Sequence, residues 1–206
     1  GYSDVIVGAQ LNDNGESDEG AVFVYHGSAS GLSLLSNWSA EGNQDSARFG
    51  ESVSTAGDVN GDGYSDVIVG ARYYDNGDSN EGRAFVYYGS ALGLSTSSNW
   101  SSEGNQVDAI FGASVSTAGD VNGDGYSDVI IGATIFDNGQ SNEGAAFVFH
   151  GSASGLSLTS NWSSEGNQID AYYGNSVSTA GDVNGDGYSD IIVGADYFDN
   201  GHLNEG

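Results

Sequence analysis

The chain has 206 residues, with 29 acids set against three arginines and no lysine, for a formal net charge of −26. A surface of that sign repels nucleic acid and anionic lipid, so polyanionic partners are excluded on electrostatic grounds. Cysteine is absent, which removes disulfide frameworks, CxxC metal sites and thiol nucleophiles, and no run of about 20 apolar residues offers a helical membrane span.

The sequence repeats. Residues 1–62, 63–124 and 125–186 are each 62 residues long and stay in register without insertion, and residues 187–206 begin a fourth copy. The second and third copies differ at only 15 of 62 positions. A period above about 40 residues points to a multi-strand unit such as a propeller blade, not to one coil of a solenoid.

Four short strands are expected in each period, taken here from residues 112–163. The first, at 112–118, alternates Ser114, Val115, Ser116 in the manner of a half-buried strand. It leads into the nine-residue loop Asp120-Val-Asn-Gly-Asp-Gly-Tyr-Ser-Asp128, which recurs from Asp58 to Asp66 and from Asp182 to Asp190. Side-chain oxygen at loop positions 1, 3, 5 and 9, with a backbone carbonyl at 7, suits a hard cation such as Ca²⁺, which takes six to eight oxygens. The glycines allow the tight turn that makes those oxygens converge. The loop is too short for a helical calcium hand and lacks its bidentate glutamate.

The second strand, 127–133, holds the run Val129-Ile130-Ile131 and reads as buried on both faces. Asp137-Asn138-Gly139 then signals a tight hairpin, followed by a third strand at 145–150 and a short fourth one near Asn161-Trp162-Ser163. No 3.6-residue apolar stripe persists. The expected fold is therefore all-β, a β-propeller-type tandem repeat of four-stranded antiparallel blades.

Phe111-Gly112 before the loop, the loop itself, and Gly132-Ala133 after it resemble the FG-GAP repeat of integrin-α-type β-propellers. The same string recurs as Phe49-Gly50 with Gly70-Ala71, and as Tyr173-Gly174 with Gly194-Ala195, so the resemblance covers essentially the whole chain. It implies Ca²⁺ held between the first and second strands of each blade. The implied ligands are Asp58, Asn60, Asp62, the Tyr64 carbonyl and Asp66; Asp120, Asn122, Asp124, Tyr126 and Asp128; and Asp182, Asn184, Asp186, Tyr188 and Asp190. Three structural Ca²⁺ ions, one per complete loop, would bring the charge from −26 to −20. Tyr2 and Asp4 are the tail of a further, partial site. Two departures stand out: the proline that usually follows Gly-Ala is replaced by Gln10, Arg72, Thr134 and Asp196, which is expected to loosen that turn, and Tyr173 replaces Phe.

Other recurring features carry two readings each. The Asp137…Glu143 stretch, repeated from Asp13, Asp75 and Asp199, is either a plain turn or a second cation site, and the turn is favoured. Trp38, Trp100 and Trp162 are either sugar-stacking platforms or blade-to-blade packing, and packing is favoured. Asn37, Asn99 and Asn161 each open an Asn-Trp-Ser glycosylation pattern, although the bulky tryptophan disfavours it. None of the three histidines holds the repeated place beside a serine and an acid that a hydrolytic triad needs, so no enzyme activity is expected.

These readings converge on a calcium-binding repeat protein, extracellular or on the cell surface, with a structural or adhesive role. The alternative is a carbohydrate-binding or non-catalytic module of a secreted enzyme. Three and a third repeats fall short of a closed propeller, so the expected partners are neighbouring repeats, or copies of the chain in a head-to-tail filament, besides an extracellular protein or glycan ligand. Any export signal would lie upstream of residue 1.

Overall fold

The computed structural model describes residues 2–202 and 206. In chain order the strands are β1 (Val5–Ala9), β2 (Ala21–Tyr25), a two-residue ribbon of β3 (Gly27–Ser28) and β4 (Gly31–Leu32), and β5 (Trp38–Glu41). Then follow β6 (Phe49–Gly57), β7 (Asp66–Ala71), β8 (Arg83–Tyr87) and β9 (Trp100–Glu103). The same four recur as β10 (Phe111–Gly119), β11 (Asp128–Ala133), β12 (Ala145–Phe149) and β13 (Trp162–Glu165), and β14 (Tyr173–Gly181) with β15 (Asp190–Ala195) starts a further set. The protein is all-β, built of antiparallel blades with strand order β6-β7-β8-β9 and β10-β11-β12-β13, flanked by β1-β2-β5 and β14-β15. The β3–β4 ribbon is an addition to the expected strands.

In the two complete blades the second strand lies between two partner strands and has a neighbouring sheet against each face, Val129 and Ile131 packing in one cluster and Ile130 in another, which is why it is continuously apolar. All six residues of β11 are buried, including Val129, Ile130 and Ile131. The expected half-buried alternation of the first strand is corrected: Ser114, Val115 and Ser116 of β10 are all buried, because the strand meets both neighbouring blades, the Val115 N–H donating to Ser52 Oγ at 2.9 Å and Ser114 Oγ to the Gly174 carbonyl at 2.7 Å. The core accordingly lies between sheets: Ile68, Val86 and Trp100 of one blade pack with Phe111, Val129, Ile131 and Phe149 of the next, and Val22 packs with Phe49, Val69 and Tyr87.

The Phe-Gly and Gly-Ala signatures are explained by how closely the blades approach. A Cβ added to Gly70 would run into the carbonyl oxygen of Gly112 on the next blade, and Gly132 stands in the same relation to Gly174. The Phe111 ring fills the space beneath, 5.7 Å from Phe147 and 6.4 Å from Phe149. Tyr173 keeps the aromatic place in the next copy, packed with Ala146 and Val148.

Further contacts join the blades at their rims. The Trp38 ring lies 5.0 Å from Tyr87 of the next blade, and its Nε1–H donates to the Ser95 carbonyl at 2.9 Å. Trp100 repeats both contacts, with Phe149 at 5.0 Å and Ser157 at 2.9 Å. Packing, not sugar stacking, is therefore what occupies these two rings. At the other rim the Gln44 amide donates to the Asp75 carbonyl at 2.8 Å and accepts from the Asp75 N–H at 2.7 Å. Gln106 with Asp137 makes the same pair, as does Gln168 with Asp199.

The expected Asn-Gly hairpin is corrected. The chain between Ala133 and Ala145 is not a two-residue turn but a long loop folded around a buried carboxylate. Glu143 is 1% exposed and accepts the Asn138 N–H at 2.7 Å and the Gln140 N–H at 3.2 Å. Asp137 meanwhile accepts the Asn142 N–H at 2.6 Å. Both acids are thus engaged by backbone, as a plain turn requires. The fourth copy of this loop runs into residues 203–205, which with Gly1 lie outside the described residues. The missing proline loosens nothing at the start of this connection: the Tyr74 N–H closes onto the Ala71 carbonyl at 3.1 Å, and Arg72 instead reaches Glu51 at 2.7 Å.

Candidate metal centre

The repeated acidic loop sits between the first and second strands of a blade, where β6 ends at Gly57 and β7 starts at Asp66. Its first acid organises it. The Asp58 carboxylate accepts the N–H groups of Gly61 at 2.7 Å, Asp62 at 3.1 Å and Gly63 at 2.8 Å. Asn60 Oδ1 accepts from Asp62 at 2.9 Å, and Asp62 Oδ1 accepts from Tyr64 at 3.0 Å. The same bonds recur around Asp120, Asn122 and Asp124 and around Asp182, Asn184 and Asp186.

The ninth residue ties the loop to the rest of its blade. Asp66 Oδ2 accepts the Val59 N–H at 2.9 Å, and Oδ1 accepts the Gly89 N–H at 2.8 Å from the connection after β8. Asp128 does the same with Val121 and Gly151, each at 2.8 Å. Asp190 holds Val183 at 2.8 Å. In the partial first copy, Asp4 keeps the contact to the equivalent glycine, Gly27, at 2.9 Å, while Tyr2 is exposed.

Asp66 and Asp128 are 0% exposed, and their electrostatics are unbalanced. Burial pushes the Asp66 carboxyl up to about 6, against the lowering effect of the Gly89 and Val59 N–H groups, with Asp62 and Asp58 adding repulsion. Burial likewise raises Asp128. Exposed Asp182 is lowered instead, chiefly by the Gly187 N–H. Among the described residues the ion pairs are Arg72–Glu51 and Arg83–Glu103, so no arginine neutralises a loop.

The donor set, wholly oxygen and net acidic around a solvent-excluded carboxylate, fits a hard divalent cation. Among the described residues no three His, Cys, Asp or Glu side chains stand close enough to hold a metal by themselves. The expected set differs from such a cluster, since it adds the Asn60 amide and the Tyr64 carbonyl.

A pH prediction follows for calcium-free protein. Because Asp66 binds its proton more tightly folded than unfolded, its contribution to stability is fully present below the ordinary value of 3.8 and is lost as pH rises through about 6. The thermal midpoint without calcium is therefore expected to be higher at pH 5 than at pH 7. In saturating calcium that difference should vanish or reverse, because the ion replaces the proton.

Asn37, Asn99 and Asn161 are exposed, but each already has a structural task. Their Oδ1 atoms accept the N–H groups of His26, Tyr88 and His150, each at 2.9 Å. The sequence did not reveal the contacts between neighbouring loops, nor the buried Glu19, Glu81 and Glu143. The Glu-Gly pair that recurs with each of these acids was the available signal.

Antiparallel four-stranded blades joined through glycine contacts, each with an acidic loop between its first two strands, define a propeller-type repeat. The FG-GAP repeat family matches residues 49–87, 111–149 and 173–206, more than half of the chain; the chain belongs to this family. It is 33% identical over 176 residues to integrin alpha-5 of Xenopus laevis, covering 80% of this chain and 16% of that protein. It is 32% identical over 199 residues to integrin alpha-4 of Xenopus laevis, covering 95% and 18%. Integrin alpha-6 of Homo sapiens is 30% identical over 176 residues, covering 85% and 15%. The chain thus spans less than a fifth of the length of these curated relatives.

Proposed function

We propose that this chain is a calcium-stabilised, non-catalytic propeller segment with an adhesive role outside the cell or at its surface. Each complete loop holds one Ca²⁺ through the side chains at its first, third, fifth and ninth positions and the carbonyl of its tyrosine. The observation that carries the reading is the threefold oxygen-lined loop built around a carboxylate with no arginine to neutralise it. The likeness to integrin alpha chains supports the adhesive role. The bound ion supplies charge compensation and cross-links the two inner strands of a blade; Asp66 and Asp128 add the link to the connection after the third strand.

Calorimetric titration tests this reading: three calcium ions per chain are expected, and a stoichiometry of zero or one would overturn it. The carbohydrate-binding alternative loses its platforms at Trp38 and Trp100, whose rings are taken up by the next blade. Soluble glycans should accordingly leave the melting temperature unchanged in saturating calcium, and a shift of several degrees would favour that alternative.

A further inference from the structure

The loops of successive blades are joined at the residues that matter for metal binding. The Asp58 N–H donates to Ser127 Oγ at 3.1 Å, and the Ser127 N–H donates back to the Asp58 carbonyl at 3.0 Å. Position 8 of one loop therefore grips the backbone of position 1 in the loop before it. The Tyr126 ring, at position 7, covers Gly61 so closely that an added Cβ would lie 2.5 Å from its Cε1. The next junction repeats the arrangement, with the Asp120 N–H donating to Ser189 Oγ at 3.2 Å and the Ser189 N–H to the Asp120 carbonyl at 2.9 Å. Gly123 there faces the Tyr188 ring at 2.6 Å by the same measure.

We propose that Ser127 and Tyr126 are positioning residues for the cation site of the preceding loop, 58–66, and that Ser189 and Tyr188 serve loop 120–128 in the same way. The inference rests on the calcium reading above. Its physical basis is the role of Asp58, whose carboxylate receives three of the loop's own N–H groups and is the first proposed ligand. Pinning its backbone from both the N–H and the carbonyl side holds that carboxylate in place before the ion arrives, as outer contacts orient metal ligands generally. Gly61 and Gly63 make the loop compliant, and the tyrosine ring limits that compliance from outside. Each site is then built by two blades, so filling one loop also tightens the junction to the next.

The test is a calcium titration of the whole chain followed through the backbone amide resonances of Gly61, Gly123 and Gly185, one probe for each loop. Ser127→Ala should weaken loop 58–66 by about threefold to tenfold, the worth of one net hydrogen bond, while leaving loop 120–128, which carries the substitution, unchanged. Ser189→Ala should weaken loop 120–128 alone, and Tyr126→Ala, which removes the ring that covers Gly61, should likewise weaken loop 58–66. Equal weakening of all loops, or a loss confined to the substituted loop, would overturn the proposal and leave the calcium reading standing. No response from any of the three glycines in the unsubstituted chain would overturn both.

Discussion

Chelating calcium is expected to lower the thermal midpoint of this protein by about 15 °C. A ligand that binds only the folded state stabilises it by mass action, and at about 2 mM calcium with a dissociation constant on the order of 10⁻⁴ M each loop gains about 2 kcal/mol. Three loops then contribute about 5 kcal/mol, and a chain of this size shifts by roughly 2–4 °C per kcal/mol. The effect is large here because the chain has no lysine with which to neutralise the loops. Nine of its acids fall in three short segments, and two of them are buried as Asp66 and Asp128. Differential scanning calorimetry in calcium and in chelator measures the shift. Magnesium at matched ionic strength is the control for simple screening, and it should not restore the midpoint. A shift below about 3 °C in calcium would remove the structural role assigned to the ion.

Gly70→Ala is expected to destabilise the protein by about 3 kcal/mol, the upper part of the range for overpacking a tight interior. The cause is local. Gly70 lies within β7 and its φ is not in the left-handed region, so the cost does not come from backbone strain. It comes from the Gly112 carbonyl oxygen, which occupies the place of the new methyl group and lies in the bulge of β10 between Phe111 and Ser114. Gly77→Ala is the matched comparison: φ is 128° there and nothing lies within 4 Å, so only conformational strain is paid, about 1–2 kcal/mol. Chemical denaturation of the two variants separates the terms. Equal losses would mean that blade-to-blade contact through the glycine pair is not what limits the spacing.

Much of this was legible because the repeat presents each element three times. The apolar run in β11 announced a strand buried on both faces, and the glycines and side-chain oxygens from Asp120 to Asp128 announced a tight acidic loop between two strands, since both are local patterns. The Asn138-Gly139 turn was misjudged for a comparable reason. Its local signal was read correctly as a break, but Glu143 folds the intervening chain around its own buried carboxylate, and sequence spacing does not reveal burial. The Asn99 Oδ1 bond to the Tyr88 N–H shows the same limit, because its partner lies 11 residues away and no local pattern marks it.

What the amino-acid sequence determined by itself was the period, the strands within it, and the acidic, tightly turning character of the loops, because apolar runs, turn glycines and short side-chain oxygens act over a few residues. Only the tertiary structure decided which surfaces meet. Gly70 faces Gly112, Trp100 meets Phe149, and Ser127 grips Asp58 across sequence separations of 42, 49 and 69 residues. Such contacts depend on how far one blade rotates and approaches the next, a distance set by the absence of side chains at the glycines and by the bulk of the aromatic rings between them. The loops are legible one at a time; their linkage into a continuous row exists only where the blades are packed.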